Sequence, residues 1–218
     1  TLAGIAAWTY GFAMQYGVLR PDDSTLRAIE KDVQTAQATS NDTALSLAEY
    51  TLGIALLSRD AAADRRRGLE PMMQVRDIWL REGALFMLPV TELWAAREKA
   101  SRGDRDAAIP VMRKAVDEMH QAGRLGYGVW GSGVLVETLL ERGAEGDVSE
   151  AQEAIDRLAN LRADHGSAIL EITLLRLRAL LAGARGDKVA YRDLVSRYRD
   201  MARSLGFEGH TVWAEAMS

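Results

Sequence analysis

The sequence predicts an all-α fold: a helical-repeat solenoid of about five antiparallel helix pairs, wound into a right-handed superhelix. Three observations carry this. Apolar residues recur at helical spacing through most of the chain, as in Ala108, Val111, Met112, Ala115, Val116 and Met119. No stretch sustains the alternation of a half-buried strand. Turns of one kind recur at near-constant intervals, marked by Asp60, Asp104, Asp147 and Asp187, the last three directly after Gly103, Gly146 and Gly186.

The elements follow in order. A first helix over 3–18 sets Ile5, Trp8, Phe12 and Tyr16 on one side, and Arg20-Pro21-Asp22-Asp23-Ser24 ends it. Asp23 or Ser24 can cap the second helix, which runs to about Ala38. Asn41-Asp42-Thr43 caps a third, carrying Leu45, Leu52, Ala55 and Leu56. Gly53 inside it costs about 1 kcal/mol against Ala, the kind of cost a close helix crossing explains.

The fourth helix spans 62–81, with Pro71 expected to kink it or mark its first turn. The fifth covers 86–100. The sixth follows Arg102-Gly103-Asp104, the seventh covers 128–142 and the eighth 149–161. The ninth, 167–184, is apolar nearly all round and should be the most buried. The tenth spans 189–204, Gly206 stops it, and 210–217 begin an eleventh. A left-handed Gly closing one helix and an Asp capping the next is the expected logic of the repeated turn.

Composition narrows the function classes. The chain has 218 residues, 48% hydrophobic and 27% charged, with four prolines and no linker-like tract, so we expect one domain over 1–218. Lys and Arg (27) are dispersed among Asp and Glu (31), for a net charge of −4, which argues against direct nucleic-acid contact. With no cysteine, disulfide, thiolate and iron–sulfur chemistry are excluded. No run reaches a membrane span, and the N-terminal segment lacks the basic region of a signal peptide, so a cytoplasmic location is expected. The chain begins at Thr in what already reads as helix, as a fragment of a larger protein would.

Gly103-Asp104-Arg105-Asp106-Ala107-Ala108 and Gly146-Asp147-Val148-Ser149-Glu150-Ala151 resemble the second half of a tetratricopeptide repeat, and Leu52-Gly53 with Ala55 the first half. The long period is similar to the sensor regions of maltose-activator-type and LuxR-type ATP-dependent regulators. Tyr50-Thr51-Leu52-Gly53-Ile54-Ala55, Val75-Arg76-Asp77-Ile78-Trp79-Leu80 and the segment from Leu205 to Met217 resemble the C-terminal helical region of mycobacterial multidomain proteins. Those proteins join a class III adenylate/guanylate cyclase homology domain to an ATPase. The resemblance implies a tetratricopeptide-like module that is not itself an enzyme, binds no cofactor or metal, and recognises a protein segment or a small effector. The cyclase, P-loop and helix-turn-helix parts of such proteins are not in this sequence.

Most candidate sites have a plainer role. His120, His165 and His210 are evenly spaced, one repeat apart, which is too far along a solenoid to share a metal, and they read as helix-junction residues. The Arg-Gly-Asp tripeptides at 102–104 and 185–187 coincide with the repeated turn, and Arg65-Arg66-Arg67 reads as a solvated helix face. Trp94, Trp130 and Trp213 fall early in successive first helices, with Tyr127 near Trp130. We expect a concave binding groove at Trp94, Tyr127 and Trp130, with Arg97 and Glu137 as polar partners. A homodimerisation platform and an all-α enzyme with a small-molecule cavity stand as alternatives.

Overall fold

The computed structural model describes residues 2–39, 42–161 and 167–217, with side chains from Trp8 onward. The cap expected from Asn41 and the roles of His165 and Ile5 lie outside the described residues or side chains. Among the described residues there are eleven α-helices, a 3-10 turn at Leu85–Met87 and no strand. The helices are α1 Leu2–Gln15, α2 Asp23–Ala38, α3 Asp42–Leu57, α4 Ala62–Glu82, α5 Leu88–Ser101, α6 Arg105–Gln121, α7 Leu125–Arg142, α8 Asp147–Leu161, α9 Ala168–Ala184, α10 Lys188–Leu205 and α11 Glu208–Ala216. The chain divides into two compact units, 1–98 and 99–218, which we take separately.

In the first unit α3 is the central element, packing against α1, α2 and α4. Its crossing with α4 is close, for a reason visible in two glycines. A Cβ on Gly68 would come within 2.8 Å of Leu56 Cβ and 3.0 Å of the Gly53 carbonyl oxygen. The close approach expected from Gly53 is therefore made, and Gly68 is the residue that permits it. Gly68→Ala should lose about 1–2 kcal/mol in urea denaturation, because a backbone-bounded overlap outweighs the helix-propensity gain of about 1 kcal/mol. A more stable variant would show that the helices part without cost. α4 runs unbroken through Pro71, well inside the helix rather than at its first turn.

An aromatic chain lines the junction of α1, α3 and α4: Trp8 lies 5.5 Å from Tyr50, and Tyr50 lies 5.2 Å from Trp79. The Tyr50 hydroxyl donates to Gln15 Oε1 at 3.3 Å, giving that buried amide one partner.

In the second unit each helix packs on the next, and α7 also packs on α9. The core between α7, α8 and α9 is built from Val136, Ala151, Ile155, Leu158, Leu174 and Leu177. α9 is buried at Leu170, Ile172, Leu174, Leu177, Ala179 and Leu181, but it is not the most buried helix as expected: α7 is buried without a break from Gly128 to Val136, because α6, α8 and α9 all pack on it. The repeated turns lie between helices, with φ of +99° at Gly103, +87° at Gly146 and +72° at Gly186, the left-handed region that glycine enters without a Cβ clash.

The aspartates after these glycines do not share one role. Asp187 caps α10, accepting from the backbone N–H groups of Val189 and Ala190. Asp104 makes no side-chain cap and pairs with Lys99 at 3.3 Å. Asp147 accepts from Arg142 and from the Ala144 N–H, which together hold its carboxyl below the usual range. The expectation that each Asp caps the following helix holds at Asp187 alone, because at the other two turns a nearby cation claims the carboxylate.

Helix starts expose a longer period than the turns do. α3, α7 and α11 begin at 42, 125 and 208, and the same shift carries the start of α6 at 105 onto that of α10 at 188. The buried positions of α2 (Leu26, Ile29, Val33, Ala36) map by this shift onto those of α6 (Ile109, Met112, Val116, Met119). Ion pairs repeat as well. Arg59 joins Asp23 in α2 to Asp64 in α4, and at the shifted positions Arg142 joins Asp106 in α6 to Asp147 in α8.

Candidate functional site

The second unit holds a polar cluster on α7, α9, α10 and α11. α7 and α9 are both apolar on almost every face, so a charge on either must find a partner or a route to solvent. Glu137 on α7 and Arg176 on α9 find each other: Arg176 Nη1 donates to Glu137 Oε1, with each side chain 19% exposed. Burial pulls the guanidinium pKa down, but the Glu137 and Glu141 carboxylates outweigh it and hold Arg176 charged. The guanidinium carbon sits 4.5 Å from the Trp213 ring centre, a cation–π contact. Arg176 Nε is buried and donates to no acceptor among the described residues.

Behind this pair stands a second layer. Trp213 meets His210 edge-on with centroids 5.0 Å apart, and His210 meets Tyr198 edge-on at 5.6 Å. The Tyr198 oxygen lies 2.8 Å from His210 Nδ1. Burial pushes the Tyr198 phenol pKa up against the pull of Arg176, so it keeps its proton. A neutral phenol donating to an unprotonated Nδ1 satisfies both buried groups. The layer fixes the Trp213 ring, which in turn covers the guanidinium.

Chemically this arrangement holds a guanidinium charge paired with Glu137, a buried N–H donor with no acceptor among the described residues, and an indole face packed against it. It suits recognition of a carbonyl or carboxylate beside a flat apolar group. Glu137 is engaged by Arg176. Among the described residues no group of three His, Asp or Glu side chains could hold a metal ion, and no helix is long and apolar enough to cross a membrane.

The residues expected from sequence fall in different settings. Trp94 is 1% exposed and Trp130 8%, so these rings are core and do not line an open groove. Both α5 and α7 are buried on more than one side, and their large rings fill the interior. Arg97 lies over the Trp94 ring at 5.3 Å. Tyr127 is half-buried, and burial raises its phenol pKa. Glu137 is the expected residue that joins a polar cluster, with Trp213 as its aromatic neighbour. Sequence reasoning misses Arg176 and Tyr198 as site residues, and leaves His210 as a junction residue. The signal for Arg176 is an arginine inside Leu174-Leu175-Arg176-Leu177, in the most apolar helix expected from the chain.

His120 occupies a different setting from His210 despite their shared register. Its ring packs on Gly128, where a Cβ would come within 3.0 Å, and its Nε2 lies 3.1 Å from Ser132 Oγ. Burial and Arg157 lower its pKa below the ordinary 6.5, with Asp117 opposing. The folded state thus binds this proton more weakly than the unfolded chain, so the contribution is full above 6.5 and shrinks as pH falls through 6.5 toward the folded value. Thermal melts from pH 7.5 to 5.5 should show a loss of stability in the wild type that is smaller in His120→Gln. Parallel curves would exclude His120 as the source.

No family model matches the chain, and comparisons with curated proteins and with solved structures return no match.

Proposed function

We propose that the chain is a tetratricopeptide-like recognition module, a right-handed superhelix of about five helix pairs that binds a protein segment or small effector. In this reading it works in the cytoplasm without catalysing a reaction, and reports to an attached cyclase, ATPase or transcriptional regulator. The recurrence of helices, core positions and ion pairs at one constant shift supports a repeat array. Arrays of this kind recognise partners across extended faces. The observation that carries the binding role is Arg176, a charged side chain with a buried, unpartnered Nε held against Trp213.

The test combines hydrogen exchange with substitution. Binding of an effector or partner, identified by screening aromatic carboxylates and carboxylate-ended peptides, should protect amides in α9 and α11. Trp213→Ala should weaken that binding while leaving the helical circular dichroism unchanged. The isolated chain should turn over neither ATP nor GTP. Turnover, or protection that ignores Trp213, would overturn the reading. A homodimer is favoured by the exposed Leu80, Leu85 and Phe86 around the end of α4. Sedimentation of a Phe86→Ser variant would reveal it.

A further inference from the structure

The Glu137–Arg176 pair stands where packing alone would place apolar side chains. The shift that carries α3 onto α7 sets Glu137 on Ile54 and Arg176 on Leu93, and both of those are wholly buried. The same shift sets Trp213 on Trp130, so the ring belongs to two copies of the pattern and the charges to one. A buried ion pair adds little stability over well-packed apolar residues of similar size. The repeat does not call for these charges, and solvent reaches both, with each side chain 19% exposed.

A single hydrogen bond joins the two, from Arg176 Nη1 to Glu137 Oε1. Among the described residues Arg176 Nη2 and Glu137 Oε2 enter no hydrogen bond, and, unlike Arg176 Nε, neither is sealed from water. The pair thus keeps a charged donor and a charged acceptor for a ligand, close beside each other. Charge decides what that ligand is. Arg176 already lies in the field of Glu137 and of Glu141, which is itself held by Arg105 at 3.1 Å. A plain carboxylate brought to Nη2 would face the Glu137 carboxylate across the same guanidinium. A plain amine brought to Oε2 would face Arg176. A ligand carrying both charges, as near to each other as those of the bonded pair, meets two attractions and offsets both repulsions. The head of an α-amino acid, with ammonium and carboxylate on one carbon, has that spacing. A peptide, charged at its two ends, does not. Trp213, partly exposed and laid on the guanidinium, gives the ligand's side chain an aromatic surface.

We propose that the cluster of Glu137, Arg176 and Trp213 binds a free aromatic α-amino acid, its carboxylate on Arg176 Nη2, its ammonium on Glu137 Oε2 and its ring against Trp213. This presupposes the recognition role proposed above for the cluster, and it narrows the ligand from carboxylates at large to zwitterions.

The probe is L-phenylalanine, titrated calorimetrically into the full chain. Beside it run N-acetyl-L-phenylalanine, which lacks the ammonium, and L-phenylalanine amide, which lacks the carboxylate. L-Phenylalanine should bind saturably, and each blocked form about tenfold or more weaker, the loss of one charged hydrogen bond. Glu137→Gln should narrow the gap between L-phenylalanine and its N-acetyl form, because it removes the attraction for the ammonium together with the repulsion of the carboxylate. If that variant does not keep its helical circular dichroism, Trp213→Ala must produce a loss of L-phenylalanine binding instead. Equal binding of the N-acetyl form would overturn the zwitterion and leave the wider recognition role standing. So would the absence of L-phenylalanine binding where another carboxylate protects α9 and α11. Binding of L-phenylalanine that ignores both substitutions would overturn the placement, and no binding by any member of the screen would remove both proposals.

Discussion

Trp94→Ala should destabilise the chain by about 3–5 kcal/mol, the cost of removing a large ring from a packed interior. The ring is almost wholly inaccessible, and α5 offers no small neighbour able to close the space: Val90, Leu93 and Ala96 are already buried around it in sequence. Urea denaturation of the purified variant measures this directly. A loss below about 1 kcal/mol would mean that the site collapses or that the ring is not core. The same substitution at Trp213, a half-buried residue, should act on binding and far less on stability.

Glu137→Gln should cost about 3 kcal/mol, near the low end for one partner of a buried ion pair, because a fifth of each side chain still reaches water. The cost arises on the other partner: Arg176 stays charged under Trp213 with its strongest counter-charge removed. Replacing both residues together, as Glu137→Met with Arg176→Met, should recover most of the loss, since two well-packed apolar side chains suit α7 and α9. A double-mutant cycle checks this. If Glu137→Gln and Arg176→Met add without coupling, the pair is not an interacting unit.

The helices are legible in the sequence because their ends carry chemical punctuation. Gly83, Gly103, Gly123, Gly143, Gly186 and Gly206 all adopt positive φ at or beside helix ends, and the expected 62–81 and 128–142 differ from the observed bounds by a few residues. The site is less legible. Trp94 and Trp130 are expected in the groove because they fall early in successive first helices, but both rings are buried, and a place in the repeat cannot report how many sides of a helix are covered. Glu137 stands out because an acid in Val134-Leu135-Val136-Glu137 is conspicuous. Its partner is far along the chain, on another helix, and could not be paired with it without the fold. The long shift is obscured because the aspartates that mark the turns sit at unequal offsets from their helices.

Two of the ion pairs occupy equivalent places with their signs exchanged. Glu30 in α2 meets Arg67 in α4, and at the shifted positions Arg113 in α6 meets Glu150 in α8. Repeat chains risk assembling a helix from one copy onto the partner of another, since the apolar stripes are interchangeable. Here such an exchange would set Glu30 against Glu150, or Arg67 against Arg113. Each copy thus carries a polarity that its own helices recognise and that the neighbouring copy's helices repel. An otherwise self-similar chain can in this way sort its helices into the right pairs as it folds.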